Sequence, residues 1–516
     1  MKSEKKLRVL LEMRPAFDGY AGIPQETRLL FRGLCMLPLV ETEGLLQTSL
    51  RFLASGTSGE SWATSDSSDH SRLNRYSRVV VSIDSKPSKS LWNEVALYLK
   101  RRYVAFTLAL ASLLPGMGRV KTSLFKSLGF EDFIWQTLFA KTLHPTDFSL
   151  VTGKDFQVCS VPWNILQSSG LYSLKFSSKP VYPILDTQDV DIFIAQTPYP
   201  ARFDKNTSLV VRYHDAFAVF MPSLFANKSR HQATHFNALK SNVDSGAYFA
   251  CVSNATRQDL LRLFPEVRER SITIYNMVSH HYYNEDSAVS RVPQIVRARL
   301  NLIAPETHPV FSGMREQEEF YKANLIEHPF KYMLMVSTIE PRKNHERLIA
   351  AWEVYRAEVD PSMKLVIVGS LGWDVEPILQ KFRPWVDQGA VFILNNVPAV
   401  DLRILYHHAA ATVCPSLAEG FDFSGVEAMR SGGVVIASDI PVHREIYDNA
   451  AEYFDPYCAV SLTGAIRKVL YNKNTSQVQE KLRAIGKEVS TRYLPENILP
   501  QWESFLQSVS QKSAVR

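Results

Sequence analysis

Cysteine is scarce in this sequence of 516 residues. The five cysteines are odd in number and widely separated, and no two of them form a CxxC pair. This pattern excludes a disulfide scaffold and a cysteine-based zinc site, and it favours a reducing compartment. We therefore expect a cytoplasmic protein. The cysteines are Cys35, Cys159, Cys251, Cys414 and Cys458.

The chain also lacks long apolar runs and long tracts of one charge. Its formal net charge is only +6, and its Lys and Arg residues are spread along the sequence. Nucleic acid is therefore not an expected partner, whereas anionic small molecules or a negatively charged membrane remain compatible. The N-terminal apolar run is too short for a signal peptide and predicts a first strand. The composition is that of a globular protein large enough for two domains.

One apolar stretch, within residues 100–126, is bracketed by cations but is shorter than the roughly 20 residues that a membrane-spanning helix needs. Two interpretations stay open. The segment is a helix buried inside an insertion, or it lies at the membrane interface and holds the protein against anionic lipid. Residues 53–90, just before it, are rich in Ser, Gly and Asp, which predicts an exposed and mobile segment.

Strands and helices alternate in two series, which predicts an α/β fold with parallel sheets. The first series opens with LRVLLEM and resumes at DIFIAQ, after an insertion at about 45–185. The second starts at YMLMVST, and its strands are nearly continuous in Val, Ile and Leu, as expected when both faces of a sheet are covered. The predicted units are a first domain at 1–285, a linker or small insertion at 286–328, a second domain at 329–495, and a C-terminal helix at 496–516 that docks on the first domain.

The segment CPSLAEGFDFSGVEAMRSGG places Glu419 in a loop and Glu427 in the first turns of a helix. Backbone amides near Phe423 and Ser424 would form the N-terminus of this helix, where a diphosphate binds well. Two glutamates that pointed at an anion would repel it, so sugar hydroxyls are their expected partners. The alternative explanation is that acidic residues at a helix start only favour its dipole, by about 0.3–1 kcal/mol each.

The motif EPRKN places Arg342 and Lys343 after the first strand of the second domain, on a loop that contains Pro341. Ligands of open parallel sheets bind beyond the carboxyl ends of the strands, where this loop and the Glu419 loop meet. A loop cation pair is ordinarily solvated surface. An anion-binding helix terminus in the same domain instead favours neutralisation of a phosphate.

Several ordered segments resemble the donor domain of retaining glycosyltransferases of family 4. The first half resembles this family in AGIPQETRLLFRGL, YHDAFAVFMP and CVSNATRQDLLRLFP, whereas about 45–185 has no counterpart. The resemblance implies the GT-B architecture, in which two Rossmann-like domains face each other across a cleft. The acceptor is then expected on the first domain and a nucleotide sugar on the second. The second-half segments are VSTIEPRKNHERLIAAW, KLVIVGSLGWD, DLRILYHHAAATVCPSLAEGFDFSGVEAMRSGGVVIASD and AEYFDP.

The resemblance implies roles for four charged residues. Lys343, with Arg342 beside it, would neutralise the diphosphate leaving group. Glu427 would accept hydrogen bonds from the ribose, and Glu419 from the transferred sugar. The spacing of the two glutamates is the signature of the family.

Four further residues are assigned by matching position. Phe423 and Ser424 would offer backbone N–H groups to sugar or phosphate, Gly22 would lie near the diphosphate, and His214 near the reacting sugar. Without the resemblance, a histidine at a strand end is more often structural. Asp422 stands where the family commonly has glycine, which predicts an altered loop or sugar specificity.

These features predict transfer of a hexose from a nucleotide sugar to a glycan or lipid-linked glycan in surface polysaccharide synthesis. No acidic triplet demands a divalent ion, so we expect metal-independent transfer without a cofactor, in which the donor phosphate takes the acceptor proton. EPRKN is typical of bacterial mannosyltransferases, which favours GDP-mannose over a UDP sugar. The expected location is the cytoplasm, with peripheral contact at the inner face of the plasma membrane.

Two other classes of protein remain as alternatives. A catalytically silent GT-B scaffold would bind a partner or membrane, but the presence of Lys343, Glu419 and Glu427 speaks against it. A dinucleotide-dependent oxidoreductase would share the Rossmann-like units. It needs a GxGxxG turn after the first strand, which DGYAGIPQE does not supply.

Overall fold

Two predominantly parallel sheets, each covered by helices, organise the chain into an N-terminal and a C-terminal domain. The two parallel sheets confirm the predicted α/β class. The computed structural model describes residues 6–20, 22–54, 69–84, 90–224, 228–300, 302, 304–325 and 330–514.

The N-terminal domain is built on an eight-stranded sheet of order β10-β9-β8-β7-β1-β2-β5-β4. All neighbouring pairs are parallel except β4 and β5, which are antiparallel, and β3 pairs separately with β6. The strands are β1 Leu7–Glu12, β2 Val40–Leu46, β3 Arg119–Val120, β4 Thr122–Lys126, β5 Asp155–Cys159, β6 Ile184–Leu185, β7 Ile192–Ala195, β8 Ser208–Tyr213, β9 Tyr248–Cys251 and β10 Ser271–Thr273.

The C-terminal domain is built on a six-stranded parallel sheet of order β13-β12-β11-β14-β15-β16. Successive residues of its strands enter two different apolar cores: Leu334 packs on one face and Met333 on the other. Burial on both faces explains the nearly continuous apolar sequence. The strands are β11 Tyr332–Val336, β12 Lys364–Val368, β13 Val391–Leu394, β14 Ala411–Cys414, β15 Val435–Ser438 and β16 Ala451–Phe454.

The helices follow the strands in both domains, as crossover connections of a parallel sheet require. Those of the N-terminal half are α1 Ile23–Met36, α2 Asp69–Asp84, α3 Leu91–Ser112, α4 Glu131–Ile134, α5 Phe148–Thr152, α6 Trp163–Ser173, α7 Phe217–Phe220, α8 Lys228–Asp244 and α9 Asn254–Leu263. Those of the C-terminal half are α10 Arg291–Arg299, α11 Met314–Leu325, α12 His345–Glu358, α13 Glu376–Asp387, α14 Ala399–His408, α15 Phe423–Arg430, α16 Pro441–Tyr447, α17 Ala459–Leu470, α18 Thr475–Thr491 and α19 Pro495–Ala514.

The segment predicted as an insertion at 45–185 contributes directly to the N-terminal domain. Its strands β4 and β5 complete one edge of the central sheet. The expectation of a mobile segment at 53–90 does not hold for α2, because Tyr76, Val79 and Ile83 are buried in the main core. Residues 55–68 and 85–89 lie outside the described residues.

The segment predicted as a linker at 286–328 contains two helices, α10 and α11. Val292, Ile295 and Tyr321 from these helices are buried in the core of the C-terminal domain. Apolar residues at helical spacing were present there, but the many charges between them obscured the pattern.

The last helix, α19, returns to the N-terminal domain. Trp502 and Leu506 are fully buried in the same core as Leu30 and Phe31 of α1. A side chain at Gly33 would come within 2.6 Å of Leu499, so α1 and α19 lie in close contact. The chain therefore passes from the first domain to the second and back again.

The apolar stretch at 100–126 begins earlier than expected, since α3 starts at Leu91. This helix is not buried: Leu91 and Trp92 are each 83% exposed and Tyr103 is 70% exposed. Only small residues such as Ala105 and Ala109 are buried, on the face towards α6. The interpretation as a buried helix is wrong. In the described part of the chain, no helix has the length and apolarity to cross a membrane.

Candidate active site

The structure brings all eight residues singled out in the sequence into one cavity of about 230 Å³ between the two domains. The N-terminal domain contributes loops that follow β1 and β8, and the C-terminal domain contributes loops that follow β11 and β14. The carboxyl ends of both sheets therefore face each other at this cavity. The eight residues are Gly22, His214, Arg342, Lys343, Glu419, Phe423, Ser424 and Glu427.

Glu419 lies between two cations. Its carboxylate oxygens are 2.5 Å from Nζ of Lys343 and 2.9 Å from Nη1 of Arg342. The same guanidinium nitrogen donates to the carbonyl of Ala418 at 2.7 Å, and Nη2 lies 2.8 Å from Glu340. The EPRKN loop and the Glu419 loop are thus joined by charge-assisted hydrogen bonds.

Asn344 fixes the shape of the EPRKN loop. It has a left-handed backbone with φ of 62° at the start of α12, a conformation that asparagine tolerates better than most residues. Its side-chain amide donates to the carbonyls of Pro415 at 3.0 Å and Pro456 at 2.9 Å. The side chains of Arg342 and Lys343 therefore start from a backbone that two neighbouring loops hold in place.

The cations of this cluster stabilise the ionised form of Glu419. Burial disfavours the ionised form of Glu419, but Arg342 and Lys343 outweigh it and lower the pKa of that carboxyl. Burial raises the pKa of Glu340, at the edge of the cluster. Lys343 and Arg342 therefore both contact Glu419, and Arg342 also contacts Glu340. An anionic ligand at this cluster would therefore compete with the two carboxylates for the cations.

Asp422 changes the expected anion site at the start of α15. Its carboxylate accepts hydrogen bonds from the backbone N–H of Ser424 at 3.0 Å and from the Ser424 hydroxyl at 2.7 Å. His443 Nε2 lies 3.2 Å from the other oxygen, and these groups hold the pKa of Asp422 well below its usual range despite its burial. The expectation that the Ser424 amide is available to a phosphate is therefore corrected: in this structure Asp422 caps it.

Glu427 is bound by a residue of the opposite domain that the sequence did not single out. Its carboxylate accepts a hydrogen bond from Gln25 Nε2 at 2.7 Å and another from the Tyr406 hydroxyl at 3.2 Å. Burial raises the pKa of Glu427 to about 7, although these hydrogen bonds oppose the shift. Gln25 lies in the first turn of α1, after the loop that follows the first strand. This position was the only feature of the sequence that could have indicated a site residue.

A second cavity of about 370 Å³ adjoins the first and shares Glu427 with it. Val336, Val397 and Leu402 give it an apolar wall, and Asn396 adds a polar group. Tyr20 and Lys141 close it from the N-terminal domain. The two cavities together form a continuous slot, in which Glu427 lies where they meet and Arg342, Lys343 and Glu419 line only the smaller of the two.

His214 and Gly22 lie on the N-terminal wall of the slot. His214 Nε2 is 3.2 Å from Oε1 of Gln196, and burial together with Arg212 lowers the pKa of His214 well below its usual value. The histidine is therefore neutral at pH 7. A side chain at Gly420 would come within 1.9 Å of the His214 carbonyl oxygen, so glycine is required where the two loops meet.

A buried ion pair lies next to this wall, because Arg212 belongs to β8, the strand that ends just before His214. Arg212 and Glu26 are 2.9 Å apart and almost fully buried, and Arg212 also donates to Asn276 Oδ1 at 2.6 Å. No local sequence pattern indicated this pair. Across the described residues, no group of three or more His, Cys, Asp or Glu side chains is placed to hold a metal ion.

Comparison with known proteins shows which family model and which relatives the chain resembles. Residues 316–489 match the family model "Glycosyl transferases group 1". The serotype-specific mannosyltransferase WbdA of Escherichia coli is 32% identical over 170 residues, which is 32% of this chain and 20% of that protein. The O-antigen chain mannosyltransferase RfbU of Salmonella typhimurium is 23% identical over 337 residues, 59% of this chain and 88% of that protein.

One solved structure resembles nearly the whole chain in its fold. Sucrose-phosphate synthase from Thermosynechococcus elongatus superimposes with a TM-score of 0.56 at 14% identity, over 98% of this chain and 99% of that one. The chain thus has the GT-B fold. The match of residues 316–489 to the group 1 glycosyl transferases, together with the mannosyltransferase relatives, confirms the predicted resemblance. The chain spans only a fifth of the length of WbdA.

Replacing Glu427 with Gln should change how stability depends on pH. The unfolded chain releases this proton near pH 4.5, whereas the folded protein keeps it to about pH 7. The free energy of unfolding of the wild type therefore falls as the pH rises between these values. E427Q has no carboxyl group at this position, so this decrease is absent. From about pH 5 to about pH 8, E427Q should gain roughly 2–3 kcal/mol of unfolding free energy relative to wild type, measured by urea denaturation.

E419Q is the matched control for this experiment. The pKa of Glu419 is lowered, so its stabilising contribution is already complete above the unfolded pKa and is lost only in acid. The difference between E419Q and wild type should stay nearly constant over the same range. A difference between E427Q and wild type that is equally constant would contradict the raised pKa.

Proposed function

We propose that this chain is a retaining glycosyltransferase that moves mannose from a nucleotide diphosphate sugar to a glycan or lipid-linked glycan in surface polysaccharide synthesis. The observation that carries the proposal is the slot between the domains, where Lys343 and Arg342 hold Glu419 at 2.5 Å and 2.9 Å. The names of the relatives WbdA and RfbU, both mannosyltransferases, support the transferred sugar.

The successive parts of a nucleotide sugar fit the slot in the order nucleoside, diphosphate and sugar. The nucleoside fits the cavity of about 370 Å³ against the apolar wall of Val336 and Val397. Glu427, which lines both cavities, is then placed to accept hydrogen bonds from the ribose. The diphosphate would reach the two cations, and the sugar would lie beside Glu419 and His214.

The cations must be shared when the donor binds. Without donor, the carboxylate of Glu419 neutralises part of the charge of Lys343 and Arg342. A diphosphate would compete for these cations and free Glu419 to accept hydrogen bonds from sugar hydroxyls. The ionised carboxylate is suited to this second task because its lowered pKa keeps it charged.

The transfer step breaks the bond between the anomeric carbon and the diphosphate oxygen and forms one to the acceptor hydroxyl oxygen. The acceptor proton passes to the released phosphate oxygen, so the chain supplies charge stabilisation and exclusion of water. Retention follows when the acceptor attacks from the side that the diphosphate leaves. An inverted anomeric configuration in the product, read by proton NMR, would contradict this proposal.

The donor is expected to be GDP-mannose, with a UDP sugar as the alternative, and no cofactor or metal is expected. Thermal unfolding across nucleotides and nucleotide sugars tests this directly, because a ligand that binds only the native state raises its stability. GDP should raise the melting temperature more than UDP does. If no nucleotide shifts it, the chain is instead a catalytically silent scaffold.

Replacing Lys343 with Ala should abolish most of the nucleotide-induced shift and lower the rate of transfer by about 10²–10³-fold, the usual cost of losing one charge-stabilising group. Lys381→Ala, on the exposed face of the same domain, is the matched control and should leave both unchanged. Retention of the full shift in K343A would place the diphosphate elsewhere.

The acceptor is proposed to enter from a third cavity, of about 650 Å³, that shares Glu419 and Phe217 with the sugar site. It lies between α9 and α16, one from each domain. Phe217 and Phe220 offer aromatic faces, and Asn254 and Gln258 offer amide groups. Aromatic faces next to hydrogen-bonding side chains suit a sugar ring, which has both apolar and hydroxyl faces.

Replacing Phe220 with Ala should raise the KM for the acceptor about 5–30-fold, equivalent to the loss of about 1–2 kcal/mol of contact, while kcat stays nearly constant. The nucleotide-induced thermal shift should not change, because Phe220 does not line the donor slot. An unchanged KM for the acceptor would contradict the proposal that the acceptor binds in this cavity.

The helix α3 is proposed to hold the protein at the inner face of the plasma membrane from the cytoplasm. Trp92, Leu99 and Tyr103 are between 59% and 83% exposed, and Lys100 and Arg102 are exposed beside them. An apolar helical face flanked by cations is the pattern of an interfacial helix on anionic lipid.

The double variant W92S/L99S should lose most of its association with vesicles that contain phosphatidylglycerol, measured by co-sedimentation. Both side chains are exposed, so the fold should be unaffected. The pair V460S/Y471S changes two exposed apolar residues of the C-terminal domain and serves as control. Equal vesicle binding by W92S/L99S and wild type would contradict the proposal that α3 contacts the membrane.

A further inference from the structure

A cationic pocket of about 460 Å³ lies between α3 and α6, apart from the three cavities of the transfer site. Arg101 and Arg102 of α3 and Arg230 of α8 line it, together with Tyr98 and Tyr172. No Asp or Glu is among the described residues that line this pocket. Three guanidinium groups around one concave surface make a site that is suited to an anion.

The arginines are positioned by neutral groups. Arg101 donates to the carbonyl of Leu50 at 3.0 Å, Arg102 to the hydroxyl of Tyr98 at 2.8 Å, and Arg230 to Ser168 Oγ at 3.2 Å. Within the described part of the chain, none of the three forms an ion pair with a carboxylate. Arg102 and Arg230 are exposed, so an anion can reach their guanidinium groups from solvent. Arginine forks of this kind suit the oxygens of a phosphate.

The pocket adjoins the apolar face of α3. An α-helix turns by 100° per residue, so Arg102 lies about 60° from the buried Ala105 on one side and about 60° from the exposed Leu99 on the other. Phe106 extends the apolar face to the pocket, where its ring lies 6.4 Å from that of Tyr172. A ligand with both a phosphate and a hydrocarbon chain would contact both surfaces at once.

The pocket also lies on the side of the N-terminal domain that faces the cleft. The first amides of α6, at Trp163 and Asn164, donate to carbonyls of Thr48 and Ser49 in the loop after β2. Arg14, which follows β1, lies over the Trp163 ring at 4.1 Å. The start of α6 is thus at the carboxyl edge of the sheet, the same edge that provides Gly22 and His214 to the transfer site.

We propose that this pocket binds the phosphate group of a membrane lipid, the anchored end of the acceptor, while the apolar face of α3 contacts its hydrocarbon chain. The inference rests on the proposed membrane contact and acceptor class, and it assigns their recognition to residues outside the matched family segment 316–489. The pocket belongs to the region about 45–185 and to α8, so it is a feature of this chain's own N-terminal domain.

The test uses geranyl diphosphate as a soluble lipid diphosphate and inorganic pyrophosphate as the same anion without a chain, titrated into the full-length protein by calorimetry. Geranyl diphosphate should bind at least about tenfold more tightly than pyrophosphate. Replacing Arg102 and Arg230 together with Gln should weaken geranyl diphosphate binding by about tenfold or more, as expected for the loss of two phosphate-binding cations.

Two controls separate this site from the donor site and from general charge. The variant R315Q/K481Q removes two exposed cations of the C-terminal half and should bind geranyl diphosphate as wild type does. K343A should lose the nucleotide-induced thermal shift but keep geranyl diphosphate binding, so failure of the donor site and failure of this pocket are distinguishable. R102Q/R230Q should keep the nucleotide shift, which also reports that it is folded.

Three outcomes would overturn the proposal. Equal affinity for pyrophosphate and geranyl diphosphate would make the pocket a site for free phosphate. Undiminished geranyl diphosphate binding by R102Q/R230Q would place the lipid elsewhere. Concentration-dependent dimerisation of wild type that W92S/L99S abolishes, without any binding of geranyl diphosphate, would assign the α3 surface to a second copy of the chain.

Discussion

The contact between one carboxylate and two cations holds the cleft wall of the C-terminal domain together. Glu419 fixes the EPRKN loop to the loop before α15, and both loops start from strands whose faces are fully buried. Ion pairs in such a place are expensive to desolvate, and removing one partner leaves the other buried without compensation. The arrangement is therefore weak evidence for stability, and the diphosphate of the proposed donor would give the two cations a further partner.

The two domains already touch through residues of this site. Gln25 donates to Glu427 across the cleft, and Gly420 packs against the backbone of His214. The carboxylate of Glu445 accepts hydrogen bonds from the N–H groups of Asn254 and Ala255 at the start of α9. Apolar contacts also join the domains, since Val252 and Val278 are buried in the core of the C-terminal domain. A ligand that competes for Glu427 would nevertheless compete with the interdomain hydrogen bond from Gln25. In the proposed function, binding of the donor ribose to Glu427 would therefore be coupled to the contact between the domains.

Local sequence patterns predicted most of the fold and the charged residues of the slot, whereas Gly22 and His214 were assigned through the family resemblance. Alternating apolar strands and capped helices gave the two α/β series, and the spacing of Glu419, Glu427 and Lys343 around strand ends indicated that they would meet. The missed features depend on contacts between distant segments. Gln25 lies 402 residues from Glu427, and the role of β4 and β5 in the central sheet depends on pairing that no local pattern encodes. Asp422 was noticed as unusual, but only its geometry showed that it caps Ser424.

The path of α19 has a consequence for how the protein is made. The core of the N-terminal domain includes Trp502 and Leu506, which are synthesised after the whole C-terminal domain. Domains ordinarily fold as units in the order of synthesis. Here the first domain keeps an open apolar groove along α1 until α19 has been synthesised, so the C-terminal domain can complete its fold before the N-terminal domain does.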